Sequence, residues 1–162
     1  MTSQVLSPQV PQAVDAWVRL LRAHAALRRS FDAQLQADHA LTVSDYEALL
    51  SLSRAEGNRM RRIDLAERLQ LTASGVTRLL DGLEKQGLVQ KATCASDARV
   101  TYAVLTEAGH SKLEQAACSH VGAIREVFEE RYTEAELTRL TELLARLPGA
   151  EIVEACGPAL GS

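Results

Sequence analysis

Residues 71–89 read LTASGVTRLLDGLEKQGLV, and this stretch decides the fold. Thr72 has the side chain of a helix N-cap, an oxygen that accepts from an otherwise unpaired backbone amide. Val76, Leu79, Leu80 and Leu83 follow at the spacing of one helical face, which predicts a helix from Ala73 to Gln86. Gly87 supplies its stop. Just upstream, the spacing predicts a short helix from Arg62 to Leu69 with Ile63, Ala66 and Leu69 inward, joined through Gln70 and Leu71. Just downstream the period changes, and residues 88–93 and 100–105 read as two strands around the polar loop 94–99. Two short helices with a tight connection, then a hairpin, make a winged helix-turn-helix. The second helix of such a pair fits the major groove of DNA, and a wing can reach an adjacent minor groove.

Longer helices flank this centre. Val10, Val14, Trp17, Val18, Leu21, Ala25 and Leu35 predict a helix that starts near Ser7-Pro8, runs to about Ala37 and breaks over residues 38–42. Ser44-Asp45-Tyr46-Glu47 has the form of a capping box, opening a helix to about Glu56 that Gly57-Asn58 ends. Thr106 caps a helix to about Glu130 with Leu113, Ala117, Val121, Ile124 and Phe128 on one side. Thr133 and Glu136 form a second capping box before Leu137, Leu140, Leu144 and Leu147, and Pro148-Gly149 closes that helix. The expected class is mainly α: a winged helix-turn-helix with a two-stranded β wing and long N- and C-terminal dimerisation helices. The expected division is an N-terminal dimerisation helix (1–37), a DNA-binding lobe (42–105), C-terminal dimerisation helices (106–147) and a tail (148–162). The outer helices carry apolar stripes that one chain of 162 residues can hardly bury alone, which argues for a homodimer.

Composition agrees with a folded helical protein: 46% hydrophobic, 24% charged and only 4% aromatic. No apolar run approaches the ~20 residues of a membrane span. Met1-Thr2-Ser3-Gln4 does not read as a secretory signal. Three scattered cysteines give no disulfide framework, so a cytoplasmic location is expected. The net charge of −3 argues against a nucleic-acid partner until it is divided by position. Residues 54–100 hold nine Lys and Arg against six Asp and Glu, a balance of +3, and the rest of the chain carries −6. An anionic partner would therefore meet the centre.

The run from Leu71 to Val89 resembles the recognition helix of the MarR/SlyA family of bacterial transcription regulators. Asp97-Ala98-Arg99, followed by Leu105-Thr106-Glu107-Ala108-Gly109, is similar to that family's wing signature, D-x-R and then L-T-x-x-G. The resemblance extends from about Ala13 to Leu147 and includes the helix order. It implies a homodimer with interleaved terminal helices, double-stranded DNA as partner, and a role as ligand-responsive repressor on a pseudo-palindromic operator. On the putting-together of pattern and resemblance, Thr72, Ser74, Gly75, Thr77 and Arg78 are the DNA-contact candidates on the recognition helix. Arg61, Arg62 and Lys91 are candidates for phosphate contact. Arg99 matches the wing arginine, with Asp97 steadying the wing. Ala98 departs from the more common D-R-R and removes one cation per wing.

The resemblance also implies a small aromatic or anionic effector between core and lobe, for which Trp17, Arg22, His24, Arg28, His39 and Tyr46 are candidates. Cys94 in the wing is the candidate for redox control, beside Lys91 and Arg99. His110, Glu114 and Cys118 align along one helix, but their rise allows at most two to share an ion, with His39 as a conceivable addition; no metal or cofactor is expected. No catalytic motif is present, so an enzyme is not expected. The competing class is a helical ligand-sensing or protein-interaction module with weak or lost DNA binding, favoured by the negative total charge and by Ala98.

Overall fold

The computed structural model describes residues 11–93 and 99–150. Within them lie six α-helices and three strands: α1 (Gln12–His39), α2 (Val43–Ser53), β1 (Arg59–Arg61), α3 (Arg62–Arg68), α4 (Ala73–Lys85), β2 (Val89–Thr93), β3 (Thr101–Leu105), α5 (Glu107–Glu129) and α6 (Glu134–Leu144). The expected helix start at Ser7-Pro8, most of the wing loop with Cys94, Asp97 and Ala98, and the tail beyond Ala150 lie outside the described residues.

α1 continues through Asp38 and His39, which the sequence reading placed in a break. It closes at Ala40, in the left-handed conformation at φ 54°. The Ala40 amide returns to Gln36 O, and the Leu41 amide returns to Leu35 O. A left-handed alanine costs about 1 kcal/mol or more. The complete burial of Leu35 and Leu41 on either side offsets it.

The capping box of α2 is formed by Thr42 and Asp45, not by Ser44 and Glu47. Thr42 Oγ1 accepts from the Asp45 amide at 3.1 Å, and Asp45 Oδ2 accepts from the Thr42 amide at 2.9 Å. Both pairs have the right spacing, but the chain turns extended at Thr42. There the Val43 amide donates to Asp32 Oδ1 of α1, and Leu41 and Val43 enter the core. Thr42→Ala is expected to cost about 1 kcal/mol of stability. Urea unfolding against wild type checks it, and an unchanged midpoint overturns this cap.

α2 stops at Ser53, three residues short of the expected end, and a 3-10 turn at Glu56–Asn58 reverses the chain. Gly57 and Asn58 both take positive φ there. They feed β1, a third strand that the pattern did not show. The sheet order is β1-β3-β2, both pairs antiparallel, with Arg61 opposite Tyr102 and Lys91 opposite Ala103.

In α3 the buried residues are Leu65 and Ala66, while Ile63 is 64% exposed, contrary to its expected inward position. Seven residues make two turns, too few for the spacing to set the rotational phase. Leu65, two residues further on, points into the core instead. Gln70 at φ 53° makes the tight connection, and the Leu71 amide reaches Ala66 O. In α4 the Thr72 hydroxyl accepts from the Gly75 amide at 3.1 Å, and Val76, Leu80 and Leu83 are buried as expected. Gly87, at φ 71°, ends the turn after α4, and the Leu88 amide returns to Leu83 O.

Thr106 links the sheet to α5. Its hydroxyl donates to Gly87 O at 2.6 Å and accepts from the Gly109 amide at 3.0 Å. The face of α5 that is buried runs through Gly109, Leu113, Ala116 and His120, rather than through Ala117 and Val121. α6 opens on the expected Thr133–Glu136 box but ends at Leu144, not Leu147. None of its residues is buried within the chain. The core joins the end of α1 to α2, α3, α4, the inner sheet face and the first half of α5. Outside it, Val14, Trp17, Val18 and Leu21 on α1 and Leu143, Leu144 and Leu147 at the other end stay exposed.

Candidate nucleic-acid interface

α4 sits on the core through one face, so its opposite face is set by the same register. That outer face carries Thr72, Ser74 and Arg78 exposed, with Gly75 and Thr77 half-buried. Thr72 Oγ1 and Ser74 Oγ lie 3.2 Å apart at the helix start. A Cβ on Gly75 would lie 3.1 Å from Thr72 Oγ1, so a small residue keeps the cap and the helix start uncrowded. Thr77 Oγ1 donates back to Ala73 O at 2.8 Å.

The structure sorts the sequence-nominated cations by their commitments. Arg61 is the last residue of β1 and the N-cap position of α3, where its guanidinium grips Asp64 through two hydrogen bonds of 2.7 and 2.8 Å. Asp64 thereby raises its pKa above the ordinary arginine value. Arg62 opens α3 and leans over α4, with Nη1 3.4 Å from Thr77 Oγ1. Lys91 of β2 lies 2.6 Å from Asp81 and 3.0 Å from Glu84, both on α4. The hydrogen bond from Lys91 holds the Asp81 carboxyl below the usual range, and Asp81 and then Glu84 push the lysine upward. Lys91 therefore ties the wing strand to the recognition helix, with its charge already facing two carboxylates. Arg99 is exposed at the re-entry from the wing loop and is engaged by a neighbouring group. Arg78 is exposed and, among the described residues, has neither a hydrogen-bond nor an ion-pair partner. Sequence reasoning missed Arg59, whose guanidinium lies 5.2 Å above the Tyr102 ring on the outer sheet face. A third strand was needed to bring those two residues together.

The nominated effector residues divide. Arg28 Nη2 donates to Ser44 Oγ at 2.6 Å, and its Nη1 lies 4.0 Å from Glu47. Burial raises the Glu47 pKa; Arg28 opposes the rise, Asp32 adds to it and His24 opposes it. Arg28 and His24 thus share one electrostatic neighbourhood between α1 and α2. His39 lies apart, with Nε2 2.7 Å from Ser119 Oγ of α5. Tyr46 is buried under α5, and Trp17 and Arg22 stand exposed further up α1. No group of three or more His, Cys, Asp or Glu among the described residues could hold a metal ion. No described helix is long and apolar enough to cross a membrane.

A capped recognition helix presented beside a hairpin, on a lobe flanked by long helices, defines a winged helix-turn-helix protein. The sequence model of the MarR family matches residues 41–101, the lobe itself. Solved structures extend the likeness over the arms. AbsC, a MarR family transcriptional regulator from Streptomyces coelicolor, is 32% identical with a TM-score of 0.74, covering 85% of this chain and 93% of its own. Sco3205, a MarR family transcriptional regulator from the same organism solved in complex with DNA, is 30% identical with a TM-score of 0.76, covering 85% and 88%. The HTH-type transcriptional repressor YetL of Bacillus subtilis is 31% identical over 111 residues, which span 68% of this chain and 66% of YetL. The chain belongs to the MarR family of transcriptional regulators.

Proposed function

We propose that this chain is a homodimeric, sequence-specific DNA-binding repressor rather than an enzyme, acting in the cytoplasm on a pseudo-palindromic operator. The observation that carries the reading is Arg78, an uncommitted guanidinium on the open face of a capped helix whose other face is locked to the core. Thr72, Ser74, Gly75 and Thr77 let the helix start approach the groove. Arg62 and Arg99 reach flanking phosphates or the minor groove, and Asp97 steadies the wing. The DNA complex of Sco3205 supports this role for the shared fold.

The exposed apolar residues of α1 and of the α6 end support pairing with a second copy. In this reading residues 1–37 and 106–147 build the dimer body, 42–105 form the lobe and 148–162 a tail. Two recognition helices then address half-sites about one turn, ~10 bp, apart. An aromatic or anionic effector held near Arg28 and His24 would shift the two lobes. A coupling of about 1–3 kcal/mol gives roughly 5–150-fold relief of binding.

Selection of genomic fragments on the purified full chain tests the proposal, followed by anisotropy titrations of the retained duplex across salt concentrations. The expected result is one enriched, inverted-repeat motif and an affinity that falls linearly with salt on logarithmic axes. Absence of enrichment over random duplex overturns it.

A further inference from the structure

His120 is a buried titratable side chain that the proposed DNA surface does not use. It is 6% exposed. Its ring packs edgewise on Phe31 of α1, with centroids 5.4 Å apart, and on Tyr46 of α2, with centroids 4.8 Å apart. One imidazole on α5 is thus the meeting point of three helices. α2 belongs to the lobe that carries α4 and the wing, whereas α1 and α5 extend away from it as the long helices. The adjacent Ser119 ties the same turn of α5 to His39 of α1. Among the described residues, His120 Nδ1 has no hydrogen-bond partner.

The charged and titratable groups on the surrounding turns are engaged elsewhere or exposed to solvent. On α1, Arg28 is held by Ser44 and Glu47, Asp32 accepts from the Val43 amide, and His39 pairs with Ser119. On α2, Asp45 serves the cap and Glu47 faces Arg28. On α5, Cys118 and Glu114 are exposed. A proton on His120 would therefore sit in an aromatic wedge with no counter-ion among the described residues, which is unfavourable. Burial lowers its pKa from the ordinary histidine value, and no carboxylate among the described residues offsets the shift.

We propose that His120 is an acid-sensitive latch joining the winged lobe to the long helices: neutral, it holds the α1–α2–α5 junction closed, and protonated, it loosens that junction. A loosened lobe no longer presents α4 at a fixed angle, so DNA affinity falls in acid; this second half rests on the DNA-binding reading above. The folded state disfavours the proton relative to the unfolded chain. The latch's contribution to stability is therefore complete above the ordinary histidine pKa of about 6.5, and it is lost as pH falls through that value towards the lower folded one.

The test compares wild type, His120→Phe and His120→Gln as full chains at pH 7.5 and 5.5, by urea unfolding and by anisotropy on the selected duplex. Wild type is expected to lose unfolding midpoint and, several-fold, DNA affinity on acidification, while the variants change less. Parallel behaviour of wild type and variants overturns the latch. A His120-dependent unfolding shift in a protein that binds no duplex supports the latch and overturns the DNA reading instead. Should neither variant fold, the NMR titration of the wild-type His120 Hε1 decides: a midpoint below the ordinary histidine value supports the latch, and one at or above it overturns the latch.

Discussion

Arg78→Ala is expected to weaken binding to the selected duplex by about 1–3 kcal/mol, the worth of one bidentate arginine–guanine contact. The effect is expected to concentrate on the base pair that Arg78 is proposed to read, so discrimination at that position relaxes with the affinity. Folding is untouched, because Arg78 is exposed and anchors nothing among the described residues. Arg78→Lys keeps the charge but loses the planar fork, and it recovers only the part of the loss due to charge. Anisotropy titrations on the selected duplex and on single-base variants measure both terms. A wild-type dissociation constant for Arg78→Ala removes this residue from the interface.

Gly109→Ala destabilises the fold by about 1–3 kcal/mol or more, the range for overpacking a well-filled site. Helix propensity alone predicts the opposite sign, since alanine is about 1 kcal/mol better than glycine inside a helix. Sterics decide. A Cβ at Gly109 would overlap the Leu88 carbonyl oxygen and lie 2.6 Å from Leu105 Cδ1. That oxygen cannot move freely, because it accepts from the Thr106 amide at 3.1 Å, at the joint between α4, the sheet and α5. Gly122, further along the same helix, has nothing among the described residues within 4 Å of an added Cβ and is the control. There alanine is expected to stabilise, by up to about 1 kcal/mol. Urea unfolding of the two variants reads both signs, and a Gly109→Ala midpoint at or above wild type refutes the steric account.

Much of the lobe was legible because its signals are local. Thr72, the Val76–Leu83 stripe and Gly87 lie within about four turns of helix, and caps and periodicity act over that range. The change of period after Gly87 located the hairpin for the same reason. The misreadings occurred where two local solutions were nearly equal. Thr42–Asp45 and Ser44–Glu47 both satisfy a capping box, and contact with Asp32 and the core chose between them. Ile63 and Leu65 both complete an apolar face in a two-turn helix, and packing chose Leu65. β1 gave no signal, since Arg-Met-Arg has one apolar residue and becomes a strand only because β3 offers an edge. The nominated site was legible in residue type but not in commitment. Nothing in the spacing says that Lys91 meets Asp81 and Glu84, or that Arg61 grips Asp64.

By itself the sequence determined the order and type of the main elements, the faces of α4 and the basic centre within an acidic chain. Each of these depends on neighbours within a few turns along the chain. The tertiary structure alone decided which cap starts α2, which of the nominated cations are committed to carboxylates, why Gly109 must lack a side chain, and where His120 lies. These depend on atoms far apart in sequence, and only the folded chain brings them within the few ångströms over which packing and hydrogen bonds act.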